Sequence, residues 1–67
     1  MTYWVQVSDH PGAIDRPVTQ EASESWRTVF YGRARAADVK AVIRRLGNLH
    51  VQVFRVGPCL GKLWYER

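Results

Sequence analysis

The chain has a single cysteine, Cys59, among its 67 residues, and no apolar run as long as the roughly 18 residues of a membrane span. One cysteine excludes an internal disulfide, so stability must come from packing or from a partner. Residues 1–4 do not resemble the start of a signal peptide. We therefore expect one small cytoplasmic domain over residues 1–67, without membrane association.

Candidate metal ligands and nucleophiles are equally scarce. His10, His50 and Cys59 lie far apart in the sequence, whereas zinc ligands are usually paired at short spacing. Cys59 and His50 also lack a third residue that would orient the histidine for catalysis. Residues 57–62 resemble a phosphate loop, but the stretch is one residue short and has no Ser or Thr after its lysine. The sequence therefore predicts no metal, no cofactor and no enzymatic activity.

Acidic residues are outnumbered, 6 against 10 lysines and arginines, and they are unevenly spread. Residues 1–24 hold four acids and one base, whereas residues 25–67 hold two acids and nine bases. Eight of the ten bases are arginine, the side chain suited to bidentate contact with phosphate or carboxylate. A codon bias toward arginine and a functional basic surface both explain this composition. In either case residues 25–67 carry a basic face.

Alternating apolar residues and turn residues predict the first half of the fold. Residues 2–8 alternate as a strand, and residues 8–25 read as a long loop in which residues 19–24 could form a helical turn. Residues 26–33 are rich in aromatic and β-branched side chains and are predicted as a second strand. A helix is the competing interpretation of that segment, because its apolar residues also fit a helical stripe.

The second half contains the strongest periodic pattern. Residues 34–46 are predicted as an amphipathic helix that ends at Gly47, and residues 49–56 as a third strand. A hairpin connection at 57–61 then leads to a short last strand at 62–66. The apolar stripe of the predicted helix consists of Val39, Val42, Ile43 and Leu46.

The predicted fold is α+β: an antiparallel sheet of three to four strands with one amphipathic helix packed on one face, in the order β-loop-β-α-β-β. One helix covers one side of a sheet, yet large apolar residues occur at the alternating strand positions of both sides. Either Trp4 or the set Tyr3, Val5 and Val7 must face away from the helix, and the same choice holds between Phe54 and Val53 and between Trp64 and the pair Leu63 and Tyr65. An uncovered face with Trp and Phe is typical of a protein interface or a base-stacking platform. In the alternative interpretation, the loop at 8–25 folds over that face.

This order of elements resembles that of some very small anti-CRISPR proteins of phages and mobile elements, which end in a hairpin with aromatic residues. The corresponding stretches are residues 3–7, 28–33, 34–46, 51–56 and 63–65. The resemblance covers the whole chain but concerns only the order of the elements, and no sequence motif is shared. It implies a non-enzymatic inhibitor that docks on a bacterial defence complex and blocks its nucleic-acid site or its nuclease recruitment.

The leading hypothesis is a non-enzymatic protein-binding module of this inhibitor type, whose partner is a larger protein or ribonucleoprotein complex. The alternative is a small basic protein that binds nucleic acid directly, because basic residues interleaved with aromatic ones suit either partner. We also expect a homodimer, since an exposed sheet face and a strand edge favour self-association. The predicted partner-binding residues are Arg33, Arg35, Lys40, Arg44, Arg45, Arg55, Trp4, Phe54 and Trp64.

Overall fold

One antiparallel sheet organises the chain. The computed structural model describes residues 1–14, 17–58 and 61–67. The strands lie side by side in the order β2-β1-β3-β4, and the predicted α+β class and order of elements are confirmed. The elements are β1 (Thr2–Ser8), α1 (Gln20–Glu24), β2 (Arg27–Arg33), α2 (Ala36–Arg45), β3 (His50–Val56) and β4 (Gly61–Glu66).

Strand β1 lies in the interior of the sheet and supplies much of the core. Its alternation is the predicted one: Tyr3, Val5 and Val7 are buried on one face, where they pack with the buried valines of β3. Val39 and Ile43 of α2 complete this cluster. Because each buried aliphatic side chain contributes about 1.5–3 kcal/mol, this small valine-rich core accounts for much of the stability of the fold.

Strand β2 settles the ambiguity of residues 26–33. Residues 27–33 form an antiparallel strand against β1, with a bulge opposite the Val5–Gln6 step. Residues 27–33 form a strand despite their helical stripe because β1 offers backbone hydrogen-bond partners. Their threonine, valine and aromatic residues are also poor helix formers. Of the predicted hairpin connection at 57–61, residues 59 and 60 lie outside the described ranges.

Helix α2 begins two residues later than predicted. The Ala34 amide donates a hydrogen bond to the carbonyl of Met1 at 3.0 Å, so it continues the sheet ladder instead of starting a helix. The helix ends at Arg45, one residue before the predicted end, and Gly47 follows in the predicted role, in the left-handed conformation at φ +62°. No helix within the described ranges is long and apolar enough to cross a membrane.

The loop predicted at about 8–25 contains the short helix α1. The Thr19 hydroxyl caps it by accepting a hydrogen bond from the Ala22 amide at 3.2 Å. The hydroxyls of Ser8 and Ser25 are hydrogen-bonded to each other. By strand alternation Ser8 lies on the sheet side away from α2, so the loop covers that side at this end. The interpretation in which the loop folds over the free face is right for this end of the sheet only.

Strand β4 contains a feature that the sequence did not predict. Its pairing with β3 shifts by one residue, because Val53 pairs with Tyr65 whereas Phe54 pairs with Leu63. Trp64 is therefore the extra residue of a β-bulge. Both Trp64 and Tyr65 pack against the core, while Leu63 is 46% exposed.

Candidate functional site

The sheet side away from α2 carries three aromatic side chains in contact, which we call the aromatic face: Trp4, Tyr31 and Phe54. Trp4 pairs with Tyr31 of β2 and with Phe54 of β3, so strand register places all three on the same side. The ring centroids of Trp4 and Tyr31 are 6.5 Å apart at 70°, and those of Trp4 and Phe54 are 5.5 Å apart at 39°. These separations and angles are those of attractive aromatic pairs.

The centre of the aromatic face is held in place and open to solvent. The indole N–H of Trp4 donates a 2.7 Å hydrogen bond to the Thr28 hydroxyl, which fixes the orientation of the ring. Tyr31 is 62% exposed. Together with Val56 and Gly61 the three rings line a shallow pocket of about 380 Å³, and none of these described lining residues is charged. An uncharged aromatic centre is typical of the buried part of a protein interface.

A pair of glutamines separates the aromatic face from the part of the sheet that the loop covers. The Gln52 amide donates a hydrogen bond to the Gln6 side-chain carbonyl at 2.6 Å. Both glutamines line a pocket together with Val18, Ser23 and Trp26 from the loop region. The aromatic face therefore ends at this polar pair.

A second surface lies between α2 and β4, which we call the basic groove. Lys40 and Arg44 lie one helical turn apart and form one wall, and Trp64 and Tyr65 form the other. The groove has a volume of about 510 Å³, and its described lining includes no carboxylate. Cations beside aromatic rings form a binding surface for anions that also carry flat groups.

Arg67 also lines the basic groove, but its guanidinium has a structural role. Its Nη2 donates to the carbonyls of Ile43 at 3.3 Å and Gly47 at 2.5 Å, and its Nε donates to that of Leu49 at 3.4 Å. These carbonyls lie in and just after the last turn of α2, where the helix dipole favours a cation. The Arg67 guanidinium is therefore engaged by the end of α2, and Lys40 and Arg44 are the other two cations that line the groove.

A second pair of cations lies on the other side of Trp64. Arg55 and Lys62 are directly paired across β3 and β4. They line a further open depression of about 640 Å³ that also includes Trp64. The Arg55 guanidinium points to the Met1 sulfur, at 3.6 Å. Trp64 thus has a pair of cations on each side.

The structure divides the predicted partner-binding residues among several places. Trp4 and Phe54 belong to the aromatic face, and Lys40, Arg44 and Trp64 meet at the basic groove, with Arg55 next to it. The sequence left open whether Trp64 faces the helix; the bulge turns it to the helix side, where its ring packs edge-on against that of Tyr3 with centroids 5.1 Å apart.

The remaining three predicted residues lie outside both surfaces. Arg45 is about 100° around the helix from Arg44, on the flank away from the groove. Arg35 pairs with Asp38 at 3.3 Å and is largely exposed. Arg33 lines a crevice between β2 and α2 together with Phe30. The cations of the predicted basic helix face therefore lie on two flanks of α2: Lys40 and Arg44 border the groove, and Arg45 lies on the flank away from it.

Four polar or aromatic residues of these surfaces and of the adjoining depression were not among the predicted ones: Tyr31, Lys62, Tyr65 and Arg67. Tyr31 and Tyr65 could have been placed only from the strand register, which depends on the two bulges. Arg67 acts through the carbonyl groups of α2, and no local pattern in the sequence indicates that contact.

Each of the two histidines has a main-chain group within hydrogen-bonding distance of its Nδ1 atom. The Nδ1 atom of His10 accepts a hydrogen bond from the Gly12 amide at 3.0 Å, and that of His50 lies 3.3 Å from the carbonyl of Arg67. Cys59 lies outside the described residues. Over residues 1–14, 17–58 and 61–67, no group of three or more His, Cys, Asp or Glu side chains is arranged to hold a metal ion.

Comparisons with protein-family models, with curated proteins and with solved structures found no match.

Proposed function

We propose that the chain is a non-enzymatic binding protein of the cytoplasm that docks through its aromatic face on a larger protein, free or within a ribonucleoprotein complex. The observation that carries the proposal is the open, uncharged contact of Trp4, Tyr31 and Phe54 on the sheet side that α2 leaves uncovered. Tryptophan and tyrosine are enriched among the residues that supply most binding energy in protein interfaces.

Charge indicates what kind of protein surface fits. Arg33, exposed at the end of β2, pairs with Thr2, so strand alternation places it on the same side of the sheet as Trp4 and Tyr31. A partner surface with an apolar centre and an acidic rim would complement this arrangement, and the net charge of +4 favours its approach. The layout shared with small anti-CRISPR proteins makes inhibition of a bacterial defence complex the form of this function that we favour.

The experiment compares two substitutions that add the same charge at exposed positions. Tyr31→Asp places a carboxylate in the aromatic face, whereas the matched control, Ala41→Asp, places one on the exposed side of α2. Each immobilised protein is incubated with bacterial lysate. The protein retained by the unmodified chain is then purified and titrated against all three.

We expect Tyr31→Asp to weaken that complex by about 2 kcal/mol, roughly thirtyfold in Kd, and Ala41→Asp to leave it unchanged. Circular dichroism of both variants checks that the sheet is intact. Equal affinity for the unmodified chain and Tyr31→Asp would contradict docking through the aromatic face, as would retention of nucleic acid with no protein.

A further inference from the structure

Two pairs of like charges border the same tryptophan. Lys40 and Arg44 are separated by one helical turn, and Arg55 and Lys62 face each other across the β3–β4 ladder. Like charges at helix positions i and i+4, or directly opposite in a sheet, destabilise the free protein. Local arrangements that lower stability are typical of functional positions.

An anion held between the members of each pair would remove this repulsion. Two cation pairs with an aromatic ring between them match a ligand in which negative groups alternate with flat rings. Trp64 is half-buried, with its ring packed edge-on against Tyr3, so the protein holds it in a fixed position next to both pairs. Single-stranded nucleic acid has this alternation, with its phosphates and its unstacked bases.

We propose that the basic groove and the adjoining Arg55–Lys62 pair bind single-stranded nucleic acid, with phosphates on the two cation pairs and a base on Trp64. A duplex suits the surface less well, because its bases are stacked on one another and cannot reach the indole. The site lies on the helix side of the sheet. It is therefore separate from the aromatic face and does not depend on the function proposed for that face.

The test uses a fluorescent oligothymidylate of about 12 nucleotides, within the range that one small binding domain covers. Binding is followed by anisotropy as salt is raised. Two phosphates of a single strand, one held by each cation pair, give a slope of log affinity against log salt of about −1.4, a loss of about sevenfold between 50 and 200 mM. A base stacked on Trp64 should quench the tryptophan fluorescence of the unmodified chain when the oligonucleotide binds. This quenching should be smaller in Trp64→Phe.

Two double variants with the same net charge separate the proposed site from general attraction. The site variant, Lys40→Glu with Lys62→Glu, removes one cation from each pair. The control variant, Arg27→Glu with Arg45→Glu, changes β2 and the other flank of α2, away from Trp64. We expect the site variant to lose the binding and the control variant to keep the slope of the unmodified chain.

The site variant also has a readout that does not involve a ligand. Lys40→Glu creates a Glu–Arg pair at i and i+4, and Lys62→Glu creates an ion pair with Arg55 across the sheet. Its melting temperature should therefore rise while its affinity falls, which rules out unfolding as the cause of the loss.

Three results would overturn the proposal. The first is an absence of oligothymidylate binding at 50 mM salt by the unmodified chain, and the second is an equal loss of affinity in the site and control variants. The third is groove-dependent binding of an oligoglutamate peptide as tight as that of the oligonucleotide, which would assign the groove to an acidic protein segment.

Discussion

Arg67 shows how one side chain can join two elements of a very small protein. Its backbone amide and carbonyl pair with Val51, which extends the β3–β4 ladder by one residue. Its guanidinium reaches across to the carbonyls of Ile43 and Gly47 at the end of α2. The same residue therefore fixes the distance between β4 and α2, which form the two walls of the basic groove.

Replacing Arg67 with alanine removes these contacts while leaving the backbone pairing. We expect Arg67→Ala to lower the free energy of unfolding by about 1–2 kcal/mol, because charge-assisted hydrogen bonds and a helix-dipole contact are lost at an exposed position. Arg67→Lys retains the charge but not the forked donors, and should have an intermediate effect. Urea denaturation measures all three, and equal midpoints would show that the contacts contribute nothing.

Strand β2 is an edge strand with two large exposed hydrophobic side chains. It lies at an edge of the sheet, and Val29 and Tyr31 are 43% and 62% exposed. The strand contains a bulge and an arginine at each end, but its central residues 28–32 include no proline and no charged residue, so this stretch of the edge is available for pairing with a second copy. Self-association through β2 would leave the basic groove, at the opposite edge, accessible.

We therefore expect a homodimer in which two copies of β2 pair. Light scattering at high micromolar concentration should report about twice the mass of 7.7 kDa. A lysine in an edge strand blocks such pairing, so Val29→Lys should be monomeric, whereas Ala41→Lys on α2 should remain dimeric. A monomer for the unmodified chain at that concentration would contradict the pairing.

The elements that the sequence predicts well are those with a local period. The alternation of β1 and the apolar stripe of α2 place Val5, Val39 and Ile43 in the core without knowledge of any partner strand. The start of α2 was misplaced because the competing hydrogen bond of Ala34 comes from Met1, far away in the sequence. Local patterns contain no information about such contacts.

The candidate site was predicted less completely for the same reason. Cations on the helix and aromatic residues in the strands are visible in the sequence, but their neighbours are set by register. One extra residue in β4 moves Trp64 from the aromatic face to the basic groove. Helical geometry then separates Arg44, which borders the groove, from Arg45, which does not.

At the level of the whole molecule, the sheet separates two surfaces of different chemistry. The molecule is a thin slab with extents of 30 × 29 × 15 Å. The uncharged aromatic face lies on one broad side, and the basic groove lies on the other beside α2. A ligand of either surface therefore need not touch the other. The proposed protein partner and the proposed oligonucleotide therefore do not compete for the same surface.

The tryptophans allow the most direct test, because Trp4 belongs to the aromatic face and Trp64 to the basic groove. The chain is labelled with fluorotryptophan, and its three fluorine signals are assigned by single substitutions. It is then titrated with the purified protein partner and, separately, with oligothymidylate. Docking through the aromatic face predicts that the partner shifts the Trp4 signal and leaves that of Trp64 in place, whereas the oligonucleotide does the reverse. A partner that shifts Trp64 while Trp4 stays unchanged would contradict the proposed function.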